Sequence, residues 1–151
     1  MKNLRIGVAL LALVSPFHLH AALGGRADSV ETDRAHMKGT VQTRQTALYS
    51  VHEIKATSGV LVREYVSPSG TVFGVGWHGV YVPDLQQLLG SYFEQYSEGA
   101  RAQKASYVGR RPLNLELPGL VVQMSGHMRA ISGRAYIPGQ VPAGVKLEEL
   151  Q

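Results

Sequence analysis

Apolar and polar positions alternate from Tyr49 onward, and the alternation is cut at regular intervals by turn residues. Residues 49–56, 60–66 and 71–78 each read as a strand, separated by Thr57-Ser58-Gly59 and Ser67-Pro68-Ser69-Gly70. Pro68 suits the second position of a type I turn, and Gly70 suits the left-handed residue that follows it. Three-residue loops set the registers. In the first hairpin Ala56 faces Val60, Glu53 faces Arg63 and His52 faces Glu64. In the second, Tyr65 faces Phe73 and Leu61 faces Trp77. Opposite charges and large apolar residues then fall across from each other, which supports this alignment. It also places Gly74 and Gly76 on one face, beside Ile54, Val62 and Val66. Glycines in a strand mark a bulge or close approach by another element, here the following helix, with a shallow ligand groove as the alternative.

That helix opens at Pro83-Asp84. Leu85, Leu88, Leu89, Tyr92, Phe93 and Tyr96 recur at spacings of three and four, with polar residues between them. Asp84 is a good N-cap, and Gly99 is the expected stop. Residues 98–112 read as a linker carrying Arg101, Lys104, Arg110 and Arg111, a solvated loop or, alternatively, a patch for an anionic surface such as lipid headgroups, polysaccharide or peptidoglycan. Leu113, Leu115 and Leu117 then alternate with polar residues, Pro118-Gly119 turns the chain, and Leu120, Val122 and Met124 alternate back. Pairing Leu117 with Leu120 puts the large side chains of this hairpin on one face. Residues 131–137 either continue the hairpin or form a last short strand. The expected fold is therefore α+β: an antiparallel sheet, made of a three-stranded meander plus a C-terminal hairpin, covered by one amphipathic helix. The domain spans residues 49–138. A polar leader (22–48), with a short helix near 29–38 or no fixed structure, precedes it, and an extended tail (139–151) follows.

The N-terminus has a different pattern. Lys2 and Arg5 precede an unbroken apolar run over residues 6–14, Pro16 ends it, and the small residues Ala21 and Ala22 follow. This is the layout of a secretory signal peptide over residues 1–21, cleaved after Ala21 or Ala22, and the run is too short for a membrane span. Without Lys2 and Arg5, thirteen basic residues face eleven acidic ones, a net of +2 against +4 for the full chain. So small an excess argues against nucleic acid as a partner. The chain has no cysteine. Disulfides, Cys-bound zinc, a thiol nucleophile and a lipidated cysteine are all excluded. The expectation is a periplasmic or secreted module with no membrane span after the signal is removed.

Candidate chemistry is sparse. No Gly-x-Ser-x-Gly is present, and Gly74-Val75-Gly76 opens no helix, so it is no dinucleotide loop. Neither a catalytic constellation nor a cofactor or metal motif is expected. His52, His78 and His127 stand on separate strands without metal-binding spacing. His52 facing Glu64 reads as a cross-strand pair that favours the protonated imidazole. The best candidate patch for a ligand or partner is Trp77, His78 and Tyr81, joined by Gly74 and Gly76, with Trp77 as a core residue opposite Leu61 as the competing reading.

Ala22-Leu23-Gly24-Gly25, Val51-His52-Glu53, Val62-Arg63-Glu64-Tyr65-Val66-Ser67-Pro68 and Pro83-Asp84-Leu85 form one set of distinctive segments. Gly126-His127-Met128-Arg129 and Ser132-Gly133-Arg134-Ala135-Tyr136-Ile137-Pro138 form another. Together they resemble the small exported proteobacterial proteins grouped as domain of unknown function 2844, over essentially the whole mature chain. The resemblance implies export and a single module, and it brings no catalytic residues. The functional expectation is a non-catalytic exported module that binds an envelope protein or a glycan. The alternatives are a small hydrolase or metal-dependent enzyme using His52, His78 or His127, and an accessory factor of a secretion or surface-assembly system.

Overall fold

A computed structural model describes residues 22–106, 109 and 111–151. The signal-like segment 1–21 and Arg110 lie outside the described residues. One seven-stranded antiparallel sheet runs through the molecule in the order β1-β2-β3-β4-β7-β6-β5. Its strands are β1 (Thr40–Gln45), β2 (Ser50–Lys55), β3 (Leu61–Val66), β4 (Val72–Gly79), β5 (Leu113–Leu117), β6 (Leu120–His127) and β7 (Ala130–Tyr136). Three α-helices among the described residues, α1 (Ser29–His36), α2 (Leu85–Leu89) and α3 (Phe93–Ala105), accompany it. The architecture is α+β, but a meander plus one hairpin undercounts the sheet. β1 was hidden because TVQTRQ has a single apolar residue and five exposed positions, so pairing with β2 rather than burial defines it. β7 bridges the meander to the hairpin by pairing with both β4 and β6.

The first hairpin has the expected register, with Glu53 opposite Arg63, His52 opposite Glu64, and Ala56 N–H donating to the Val60 carbonyl at 2.9 Å. In the second, Val66 pairs with Val72, but Tyr65 pairs with Gly74 and Leu61 with His78. A bulge inserts Phe73 as an extra residue between those pairs and moves every later position of β4 to the opposite face. Gly74 and Gly76 consequently lie beside Tyr65 and Arg63, not beside Val62 and Val66. Leu117 pairs with Leu120 as expected, and Leu113, Leu115, Val122 and Met124 share the face of the main core.

Both faces of the sheet are apolar. On one, Ile54, Val62, Val75, Trp77, Val122 and Ala135 are buried beneath Leu85, Leu88 and Leu89 of α2, Val30 of α1 and the N-terminal Ala22 and Leu23. Helix formation here follows the apolar spacing, with Asp84 capping α2 by accepting from the Gln87 N–H. The helix is divided where Gly90 takes φ +50°, while Gly99 lies inside α3. A Cβ at Gly99 would stand 3.2 Å from Leu117, so this glycine lets α3 lie close on β5. Much of the expected linker is thus helix.

Residues 141–151 cover the other face. Leu150 is fully buried among Tyr49, Val51, Tyr65, Phe73 and Tyr136, with Val141, Val145 and Leu147 packed around them. Tyr49 meets the rings of Tyr65 and Phe73 edge-on, each at a centroid distance of 5.9 Å. The segment read as an extended exit is therefore a structural layer, and it, rather than the helix, presses on the glycines. A Cβ at Gly76 would stand 2.8 Å from the carbonyl carbon of Gln151. Substituting Gly76→Ala should cost about 1–3 kcal/mol of stability by displacing this segment. Gly139→Ala, where added volume meets nothing, should leave stability within about 0.5 kcal/mol. Urea unfolding of the two variants checks the contrast.

Candidate functional site

Beyond the point where residues 147–151 end their crossing, the same sheet face turns polar. Strand alternation sends His78, Ser132, Arg134, Gln123 and Asn114 to this side, from four adjacent strands in the order β4-β7-β6-β5. They line an open groove of about 580 Å³, closed at one end by Arg63, Glu148 and Gln151. Its floor carries a hydrogen-bonded pair and, beside it, a chain of two further bonds. His78 Nδ1 and Ser132 Oγ are 2.8 Å apart, Arg134 Nε donates to Gln123 Oε1 at 2.8 Å, and Gln123 Nε2 donates to Asn114 Oδ1 at 2.9 Å. Arg134 Nη1 donates to the Leu147 carbonyl, which ties the groove to the covering segment.

The wall of the groove is a length of peptide held by side chains. Arg63 Nη1 donates to the Gln151 carbonyl at 2.6 Å, while Arg63 Nε is fixed by Glu53 Oε2 at 2.8 Å. The Tyr65 hydroxyl donates to the Gln151 carbonyl and accepts from its N–H, both at 2.9 Å. Burial raises the Tyr65 pKa, so this hydroxyl stays a donor. Tyr49 donates to Glu149 Oε2 at 3.0 Å, and its pKa is raised first by burial and then by that bond.

The residues singled out from sequence do not converge. Trp77 is 1% exposed on the helical face, where a Cβ at Gly133 would run into its indole ring; it is a core residue, but opposite Val62 and not Leu61. His78 points to the opposite face and lines the groove. Tyr81 is 66% exposed beside Val82, near a smaller hollow of about 340 Å³ bordered by His36 and Asp84. Gly74 and Gly76 are buried under Leu150 and Gln151. Of the predicted patch, His78 and Trp77 line the groove, Trp77 with almost none of its surface exposed. Ser132, Arg134, Gln123 and Asn114 were missed because only the β7 pairing brings them beside it; their polar alternation on β6 and β7 was the available signal. Arg101 and Lys104 are exposed on α3 and Arg111 is exposed just before β5.

The histidines are dispersed. His52 lies on the helical face of β2, with Nδ1 3.1 Å from Thr43 Oγ1 and Nε2 3.3 Å from Ser50 Oγ. It stands opposite Glu64 but makes no ion pair with it, and burial lowers its pKa, the reverse of the effect expected from a charged neighbour. His127 is exposed at the end of β6, next to Met128. Among the described residues no group of three or more His, Cys, Asp or Glu is placed to hold a metal.

Two acids are fully buried, which the sequence did not announce. Asp33 of α1 and Glu64 of β3 have no exposed surface, and Gln87 Nε2 donates to Asp33 Oδ1 at 2.6 Å. Burial raises both pKa values, that of Glu64 well above the ordinary range with the Asp33 charge adding to the effect.

The chain belongs to the family described as Protein of unknown function (DUF2844), whose model matches residues 19–150. Comparisons with curated proteins and with solved structures return no match. Proton titration followed by NMR should place the His52 midpoint below the ordinary value of about 6.5. Acidification through that range should then cost stability, because the folded state favours the neutral ring; a raised midpoint would restore the ion pair.

Proposed function

We propose that this member of the family is an exported, non-catalytic module that binds an envelope protein or a glycan in the polar groove of its sheet. The observation that carries the reading is the set of preorganised donors on the groove floor. Arg134 is fixed through two of its nitrogens, Gln123 and Asn114 are locked to each other, and the His78–Ser132 pair is exposed at the rim. Such groups suit a hydroxyl-rich or carboxylate-bearing ligand, since little ordering entropy remains to be lost on binding. The basic n-region, apolar run and small residues of the first twenty-two positions support export. No helix among the described residues is long and apolar enough to cross a membrane.

A second reading has one observation behind it. His78 Nδ1 at 2.8 Å from Ser132 Oγ is a base–nucleophile contact of the kind hydrolases use. A working triad also needs a group orienting the other ring nitrogen, and no hydrogen bond from His78 to a carboxylate occurs among the described residues. Binding is the better supported role.

N-terminal sequencing of protein recovered from the exported fraction should begin immediately after Ala21 or Ala22. Retention of the mature protein on isolated envelope material should fall at least tenfold, about 1.4 kcal/mol, on Arg134→Ala, and Ser132→Ala should weaken it less. Unchanged retention by the Arg134 variant, with its circular dichroism intact, would move the binding surface elsewhere. Ester hydrolysis abolished by Ser132→Ala would favour the second reading.

A further inference from the structure

We infer that Asp33 and Glu64 hold a single proton between them, and that this proton fastens α1 and the N-terminal segment onto the sheet. The two carboxyl groups come from elements far apart in the chain, α1 and β3, and are buried in the same helical layer, where each acts on the other's ionisation. Both residues are 0% exposed. Among the described residues, three of their four oxygens, both of Glu64 and Oδ2 of Asp33, have no donor. Two bare carboxylates side by side in an apolar layer repel each other and lack the hydration that would stabilise them. One shared proton removes the difficulty: a Glu64 hydroxyl donates to Asp33 Oδ2, while Asp33 Oδ1 keeps the Gln87 amide.

Among the described residues no cation takes the proton's place. On α1, Arg34 is turned outward onto Glu31 at 2.5 Å, and His36 is engaged with Asp84, the cap of α2, at 3.6 Å. On β2, His52 is bonded to Thr43 and Ser50. On β4 the residue opposite Glu64 is Val75, and Trp77, the nearest polar group on that strand's helical face, is uncharged. Gln87 is the polar contribution of α2. Among the described residues His36, when protonated, favours the ionised form of Asp33.

The bond has a mechanical role because of what α1 carries. Val30 and Met37 belong to the helical-face core, and the chain before α1 is laid along β4 and α2 by hydrogen bonds. Leu23 N–H donates to the Leu88 carbonyl at 2.9 Å, Gly24 N–H to the Val72 carbonyl at 2.8 Å, and Val72 N–H to the Gly25 carbonyl at 2.9 Å. Loss of the proton puts a second charge in this layer, and α1 is the element that can lift away with Asp33. A carboxyl whose pKa is raised on folding takes up a proton as the chain folds. Its stabilisation is therefore complete below the ordinary carboxyl range, near 4, and is lost as pH rises toward the folded-state value. The pair acts as one titrating unit. The clasp is closed in acid and loosens on alkalinisation.

The test compares urea unfolding of wild type and Glu64→Gln between about pH 5 and pH 9, with infrared spectra of the folded proteins at neutral pH. For wild type the unfolding constant should rise up to about tenfold per pH unit over part of that range, one proton's worth. In Glu64→Gln the amide still donates to Asp33 but cannot ionise, so that rise should vanish. The band of a protonated carboxyl should be present in wild type and absent from the variant. In wild type, α1 amides should exchange faster with rising pH beyond the intrinsic base-catalysed increase. Glu53→Gln, on the opposite face, should change none of this. Parallel pH profiles for wild type and Glu64→Gln, or no protonated-carboxyl band in wild type, would overturn the inference. If Glu64→Gln does not fold, Asp33→Asn and the wild-type band decide the same question.

Discussion

Leu150 is buried over Gly74 against the rings of Tyr65 and Phe73, and the backbone of Gln151 lies on Gly76 where a side chain would otherwise project. This contact answers the problem set by a single sheet with two apolar faces. Each face must be taken from water, and one layer of helices can cover only one of them. Burying one leucine contributes about 1.5–3 kcal/mol, a sizeable part of the net stability expected of a domain this small. The covering segment does more than bury area. Its carbonyls are bound by Arg63, Tyr65 and Arg134, so the polar groups it brings inside are satisfied by the face they cover.

The bulge at Phe73 makes that arrangement available. Before it, β4 continues the alternation begun by Val66 and Val72; after it, the faces exchange. Phe73 swings into the aromatic cluster with Tyr49 and Tyr65, the two glycines follow onto the same side, and Val75 and Trp77 pass to the helical core. The exchange also sends His78 to the groove side, where β7 supplies Ser132 and Arg134. One inserted residue thus links the core, the covering segment and the proposed binding surface.

Local signals in the sequence were readable where burial and pattern agree. The first hairpin, the Leu117–Leu120 hairpin and the Asp84 cap are each set by residues within a few positions of one another. What was not legible depended on partners distant in the chain. β1 has almost no buried face, so only its pairing with β2 makes it a strand. The bulge has no compositional mark in Thr71-Val72-Phe73-Gly74 beyond the glycine. Residues 139–151 lack periodicity because they are not a regular element, yet Leu147 and Leu150 are placed to pack. Glu64 looked like half of a pair with His52 on the neighbouring strand, whereas its true partner, Asp33, arrives from a helix thirty-one positions earlier. Of the groove, the sequence points to His78 and Trp77; the polar residues beside them are assembled by β7, whose place in the sheet rests on contacts with β4.

The helical face is held by apolar packing together with the buried acids, and the opposite face by a segment that ends beside the groove. Residues 141–151 are an integral layer of the fold. The most direct test is removal of those residues, followed by urea unfolding and near-ultraviolet circular dichroism of the tyrosine cluster. A large loss of stability is expected, at least about 3 kcal/mol, with loss of the ordered aromatic signal and exposure of apolar surface to a hydrophobic dye. A shortened chain with an unchanged unfolding midpoint and an unchanged aromatic spectrum would contradict it.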